Sequence, residues 1–174
     1  FFGRTETVDY LAKSNTLKID VEQLPSSGTP SSYTGAVGNF NFKAEIDKNK
    51  VVTNESIMLR LTLSGSGNIQ LLKAPEPQLP SGVDKYDPKV YDNVNKGSVV
   101  SGQKIIEYLI VPRVAGDKEI PPMEFSYFNP EQRKYITLTS PAFKINVVKG
   151  EGQYEPLAGN YSKSDVRLLN EDIR

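Results

Sequence analysis

Apolar and polar side chains alternate with a period of two along much of this chain, the spacing of strands that bury one face and wet the other. The pattern is clearest from Tyr108 to Phe128. Ile106, Tyr108 and Ile110 alternate with Glu107 and Leu109, Pro112 stops the ladder, Ala115-Gly116-Asp117 turns the chain, and Met123, Phe125 and Tyr127 resume the period. A strand leaving at Pro112 and returning by Pro121-Pro122 excludes a helix, so this stretch predicts two strands and a turn.

The same grammar extends on both sides. Phe40, Phe42, Ala44 and Ile46 share one strand face; Ile57, Leu59, Leu61 and Leu63 share the next, with Met58, Arg60 and Thr62 turned away. Gly65-Ser66-Gly67 is expected to break that ladder before a short strand over Asn68 to Leu72 and a proline-rich edge from Ala74 to Pro80. A less regular section with Tyr86, Val90 and Tyr91 follows, then a hairpin tip over Gly97 to Gly102 that feeds a Gln103 to Val111 strand. Beyond Phe128, the turn Asn129-Pro130-Glu131-Gln132 precedes a Tyr135 to Thr139 strand, and a closing strand carries Phe143, Ile145 and Val147 inward. About seven strands and no convincing helix predict an all-β, immunoglobulin-like antiparallel β-sandwich.

Ahead of it, Thr16-Leu17-Lys18-Ile19-Asp20-Val21 alternates like a strand without a partner written around it, and Leu24 to Ser32 is rich in Ser, Gly and Pro. The expected organisation is therefore a last strand of a preceding sandwich domain in residues 1–24, a linker over 25–34, the sandwich over 35–148 and a flexible tail over 149–174. In that tail Ser164-Asp165 can cap a short helix carrying Val166, Leu169 and Ile173.

Composition narrows the chemistry. The 174 residues hold 21 basic and 21 acidic side chains, so no net field draws the chain to nucleic acid or an anionic membrane. With no Cys, no His and no Trp, the thiolate nucleophile, the imidazole base and the usual zinc and haem ligands are missing; no cofactor is expected. No apolar run approaches the ~20 residues of a membrane helix.

Four local patterns imitate chemical sites. Gly65-Ser66-Gly67 begins like a dinucleotide fingerprint, but Gln70 stands at the third glycine position and Pro75 and Pro77 forbid the helix that would hold phosphate. Asp92-Asn93-Val94-Asn95-Lys96-Gly97 imitates a calcium loop, yet Val94 and Lys96 occupy positions that need oxygen ligands; an exposed polar turn is expected. The carboxylates Asp84, Asp87 and Asp92 are close in sequence, with solvated turn positions as the expected outcome, and a Ser66–Lys73 pair has no buried pocket to depress the lysine. Among aromatics, Tyr127 and Phe128 point to opposite faces of one strand, so one must leave the core; Phe128 then packs beneath the Asn129-Pro130 turn, against a neighbouring domain, or on a partner.

Several motifs in fixed order carry a family likeness: Gly35-Ala36-Val37-Gly38-Asn39-Phe40, Leu63-Ser64-Gly65-Ser66-Gly67-Asn68-Ile69, Tyr86-Asp87-Pro88-Lys89, Tyr108-Leu109-Ile110-Val111-Pro112-Arg113, and Ile120-Pro121-Pro122 with Phe125-Ser126-Tyr127-Phe128. Together they resemble BatD, the oxygen-tolerance family of the Bacteroides aerotolerance operon. The resemblance implies a membrane-anchored envelope protein of successive β-sandwich domains, on the periplasmic face of the bacterial inner membrane, with its anchor outside this sequence. It also implies von Willebrand A-domain and tetratricopeptide-repeat Bat proteins as partners, and it supplies no catalytic residues. The leading expectation is a non-enzymatic protein-interaction module in a complex linked to oxygen or stress tolerance; the alternative is an adhesin-like or carbohydrate-binding sandwich. Tyr86, Asp87 and Phe128 are the candidate partner-binding residues. Since A-domains complete a bound magnesium with a ligand carboxylate, Asp87 is the candidate donor, against the plainer reading that it caps its own turn.

Overall fold

A computed structural model describes Gly3 and residues 7–150. Its strands in chain order are β1 (Tyr33–Ile46), β2 (Lys50–Val52), β3 (Ile57–Gly67), β4 (Val83–Lys85), β5 (Lys89–Lys96), β6 (Val100–Pro112), β7 (Gly116–Ile120), β8 (Glu124–Asn129), β9 (Lys134–Thr139) and β10 (Phe143–Val148). The large sheet runs β4-β6-β3-β1-β8-β9, with β5 also paired to β6, and the small sheet runs β2-β10-β7. The chain is thus the all-β sandwich expected from its alternation.

At the centre, β3 pairs antiparallel with β1 and with β6, in unbroken register from Ile57↔Ile110 to Ser66↔Ser101. That places Ile57, Leu59, Leu61 and Leu63 on one face, all wholly buried, each worth about 1.5–3 kcal/mol of transfer free energy. They divide between two contiguous clusters. Leu59 and Leu61 meet Ile106, Ile110, Ile120, Ile145 and Val147 between the two sheets, while Leu63 joins Phe40, Ile69, Phe125 and Tyr127. In the second cluster the Phe40 ring stands edge-on to Tyr127 at 5.6 Å and to Phe125 at 6.3 Å, the arrangement that aromatic quadrupoles favour.

Several expectations are corrected. The ladder does not break at Gly65-Ser66-Gly67; β3 runs through to Gly67, because these glycines let the strands approach where any Cβ would collide. Asn68 to Leu72 is not a strand but a 3-10 turn over Ile69–Leu71, which buries Ile69 and Leu72 three residues apart and leaves Leu71 outside. Asn68 stands in for a strand there, its side chain accepting from the Val37 amide and donating to the Gly35 carbonyl, both at 2.8 Å. Val90, Tyr91 and the supposed turn from Asp92 to Lys96 belong to the edge strand β5, and β7 intervenes between β6 and β8 to pair with β10. The pairing is also mixed, since β1 joins β8 and β2 joins β10 in parallel.

Among the described residues the Thr16–Val21 segment pairs with nothing: residues 7–25 hold no strand, and Leu17, Ile19 and Val21 are exposed. Alternation alone cannot make a strand without a ladder to join. The predicted linker is not wholly free, for Tyr33 is already in β1, Ser32 Oγ lies 2.6 Å from Ser126 Oγ, and the Tyr135 hydroxyl donates to the Pro25 carbonyl at 2.8 Å. The tail helix over Ser164 to Ile173 lies outside the described residues. No helix among the described residues is long and apolar enough to cross a membrane.

Candidate interaction surface

The outward face of the large sheet follows from the register that buries the inward one. Across β1, β3, β6 and β5 one row reads Glu45, Arg60, Glu107 and Lys89, and the next reads Lys43, Thr62, Ile105 and Tyr91. Arg60 grips Glu107 at 2.7 Å, so the first row is internally neutralised at its centre. A third row pairs Met58 with Leu109, and the Tyr86 amide donates to the Leu109 carbonyl at 3.0 Å. Leu109 and Tyr86, 38% and 46% exposed, form an apolar patch that the charged Arg60–Glu107–Lys89 row separates from Tyr91, 51% exposed.

Tyr86-Asp87-Pro88 forms the corner between β4 and β5. Arg113, just past the end of β6, organises it: Nε donates to Asp84 at 2.6 Å, Nη1 to Asn54 Oδ1 at 3.0 Å, and Nη2 to the Tyr86 hydroxyl at 2.9 Å. The hydrogen bond to Asp84, ahead of the Tyr86 contact, holds the guanidinium above its ordinary pKa. Pro88 fixes the backbone on the other side of Asp87. Met58, Tyr86, Asp87, Lys89, Glu107 and Leu109 line a groove of about 190 Å³ here.

Beneath the corner, Tyr108 is buried, with the Lys85 ammonium 5.7 Å from its ring centroid. Burial raises the phenol pKa, and Lys85 works against that shift. Lys85 also pairs with Glu76, whose carboxyl is held below its usual range by that bond.

The candidate carboxylates part company. Asp84 is committed to Arg113 and Asp92 lies 3.5 Å from Lys104, whereas Asp87 makes no hydrogen bond or ion pair among the described residues, so it does not cap its own turn. The structure brings Tyr86 and Asp87 together but not Phe128, which sits beyond β3 and β1 on β8. Phe128 does turn away from both core clusters, as the alternation demanded, and shares a cavity with Pro130, yet it does not reach the surface. Both Tyr127 and Phe128 are buried, because Tyr135 stands edge-on to Phe128 at 5.1 Å and Leu24 and Pro25 help wall its cavity.

Leu109 and Arg113 stand within the Tyr108 to Arg113 motif but were not among the expected binding residues. Leu109 carried a signal: an apolar side chain at the wet parity between Tyr108 and Ile110. Arg113 carried none, since its partners lie 27 to 59 residues away in the chain.

The family model described as the BatD DUF11-like domain matches residues 44–147, from the later part of β1 to the end of β10. No curated protein and no solved structure matches the chain.

Proposed function

The chain belongs to the BatD family, and on that premise we propose that it is a non-enzymatic protein-interaction module of a bacterial envelope protein. It acts at the periplasmic face of the inner membrane, in a complex linked to oxygen or stress tolerance. Its partners are the von Willebrand A-domain and tetratricopeptide-repeat Bat proteins. The observation that supports this reading is the corner Tyr86-Asp87-Pro88: an exposed, unpartnered carboxylate beside a half-exposed tyrosine that Arg113 holds at 2.9 Å. A group fixed in advance loses little entropy on docking. Asp87 is then the carboxylate offered to a magnesium ion carried by the A-domain.

The adhesin-like or carbohydrate-binding alternative calls for a shallow cleft lined with aromatic side chains and ordered polar groups. The groove here instead holds a single aromatic side chain, Tyr86, among Met58, Leu109 and the charged Asp87, Lys89 and Glu107, beside the exposed strand β5, which favours a protein partner. The test is recovery of bound proteins from the native envelope on the intact protein, wild type against Asp87→Ala. A-domain and repeat proteins should be retained by the wild type and depleted from the variant; their absence from both, with glycan retained, would overturn the reading.

A further inference from the structure

We infer that the free edge of β5 is an augmentation site, which takes an extended segment of another polypeptide bearing carboxylates at both ends of its paired stretch. This rests on the reading of the domain as an interaction module and adjoins the corner groove, with which it shares Lys89. Among the described residues β5 pairs with β6 alone, over eight consecutive residues from Lys89↔Glu107 to Lys96↔Val100, without a bulge. Its other edge presents the N–H and C=O groups of alternate residues to solvent, and no proline interrupts them.

The side chains on this edge describe their occupant. Val90 has the inward parity of its neighbour Ile106, which is 4% exposed, yet Val90 itself is 53% exposed: the core ends at an open margin there. Tyr91, on the outward parity, is 51% exposed. An added strand with apolar residues at alternate positions would cover Val90 and extend the margin by one row. Lys89 and Lys96 mark the ends of the strand, about 23 Å apart at 3.3 Å per step, and neither has an ion-pair partner among the described residues. Glu107, opposite Lys89, is already taken by Arg60. In the middle Asp92 is answered by Lys104. What the edge lacks is negative charge at its two ends.

A second copy of this chain does not supply it. Antiparallel pairing of β5 with itself about a central two-fold would set Lys89 directly opposite Lys96 at both ends, which is repulsive. The partner is therefore a different strand, acidic at its ends.

The test uses the full chain and an end-capped octapeptide with glutamate at both termini and valine alternating with threonine between them. Saturable binding by fluorescence anisotropy, with slowed amide hydrogen exchange from Val90 to Asn95, is the expected result. Binding should weaken about tenfold in the Lys89→Glu, Lys96→Glu double variant, return when that variant meets a lysine-ended peptide, and vanish when alternate peptide amides are N-methylated. An unchanged thermal unfolding curve checks that the double variant is folded. No binding of the glutamate-ended peptide, binding indifferent to charge reversal, or protection appearing away from β5 would each overturn the inference, leaving the two lysines as guards of an unpaired edge. Asp87→Ala should not change peptide binding, so failure of the magnesium-dependent contact and failure of the edge are read separately.

Discussion

Replacing Gly65 by alanine should damage this sandwich as much as the same change at the other close-approach glycines Gly38, Gly67 and Gly102, and more than at glycines with open space around them. Gly65 stands near the end of β3 with φ +149°, between Phe40 of β1 and Gly102 of β6. A Cβ there would lie 2.1 Å from the Asn39 carbonyl oxygen and 2.9 Å from Phe40 Cα, both backbone atoms that no rotamer can move aside. Relief requires β1 and β3 to part by about 1 Å against ladders on both sides. The dihedral strain contributes about 1–3 kcal/mol and the forced separation about as much again, so the loss is about 2–6 kcal/mol. Two controls divide the terms. Gly116 has φ +117° with open space around it, so Gly116→Ala should lose only the dihedral part, about 1–3 kcal/mol. Gly97 has neither constraint, its nearest atom being 3.8 Å away, and Gly97→Ala should fall within about 1 kcal/mol of wild type. Urea unfolding with a constant m-value measures all three. A Gly65→Ala loss no larger than that of Gly116→Ala would refute the close-approach argument.

Leu61→Ala should cost about 2–5 kcal/mol, while Arg60→Ala, one residue earlier and half exposed on the other face, should cost under about 1; equal losses in urea would overturn the face assignment. Thermal unfolding should be unchanged by chelator or added calcium, and a melting temperature that climbs with calcium would contradict this. Glu55 accepts from Lys48 and from the Val52 amide, which lowers its carboxyl pKa. Its stabilising contribution is therefore present above the unfolded value near 4.3 and lost as pH falls through the lower folded value. Glu55→Gln should flatten the acid limb of the stability curve; an unaltered limb would remove Glu55 from it.

Strands that bury a face were legible because burial imposes the alternation. Ile57 to Leu63 and Phe143 to Val147 read correctly for that reason. β5 was not, since an edge strand wet on both faces can carry Lys89, Asp92, Asn93 and Asn95 at either parity and so imitates a turn. Ile69 and Leu72 misled in the opposite way, their spacing of three being that of a 3-10 turn rather than of a strand. At the candidate site, Tyr86 and Asp87 were legible as a motif. What holds them was not: Arg113 arrives through the end of β6 and Asn54 through the turn after β2, a juxtaposition only the folded sheet creates. Phe128 failed as a surface residue because strand parity says which way a side chain points, not whether residues about a hundred positions earlier lie across it.

The most direct test of the interaction reading is binding of this chain to a purified von Willebrand A-domain Bat protein by calorimetry, in magnesium, in chelator, and with Asp87→Ala. Saturable binding that needs magnesium and falls at least about tenfold in the variant is predicted, the scale of a lost charge-assisted contact. Binding indifferent to both changes, or no binding in magnesium, would contradict it.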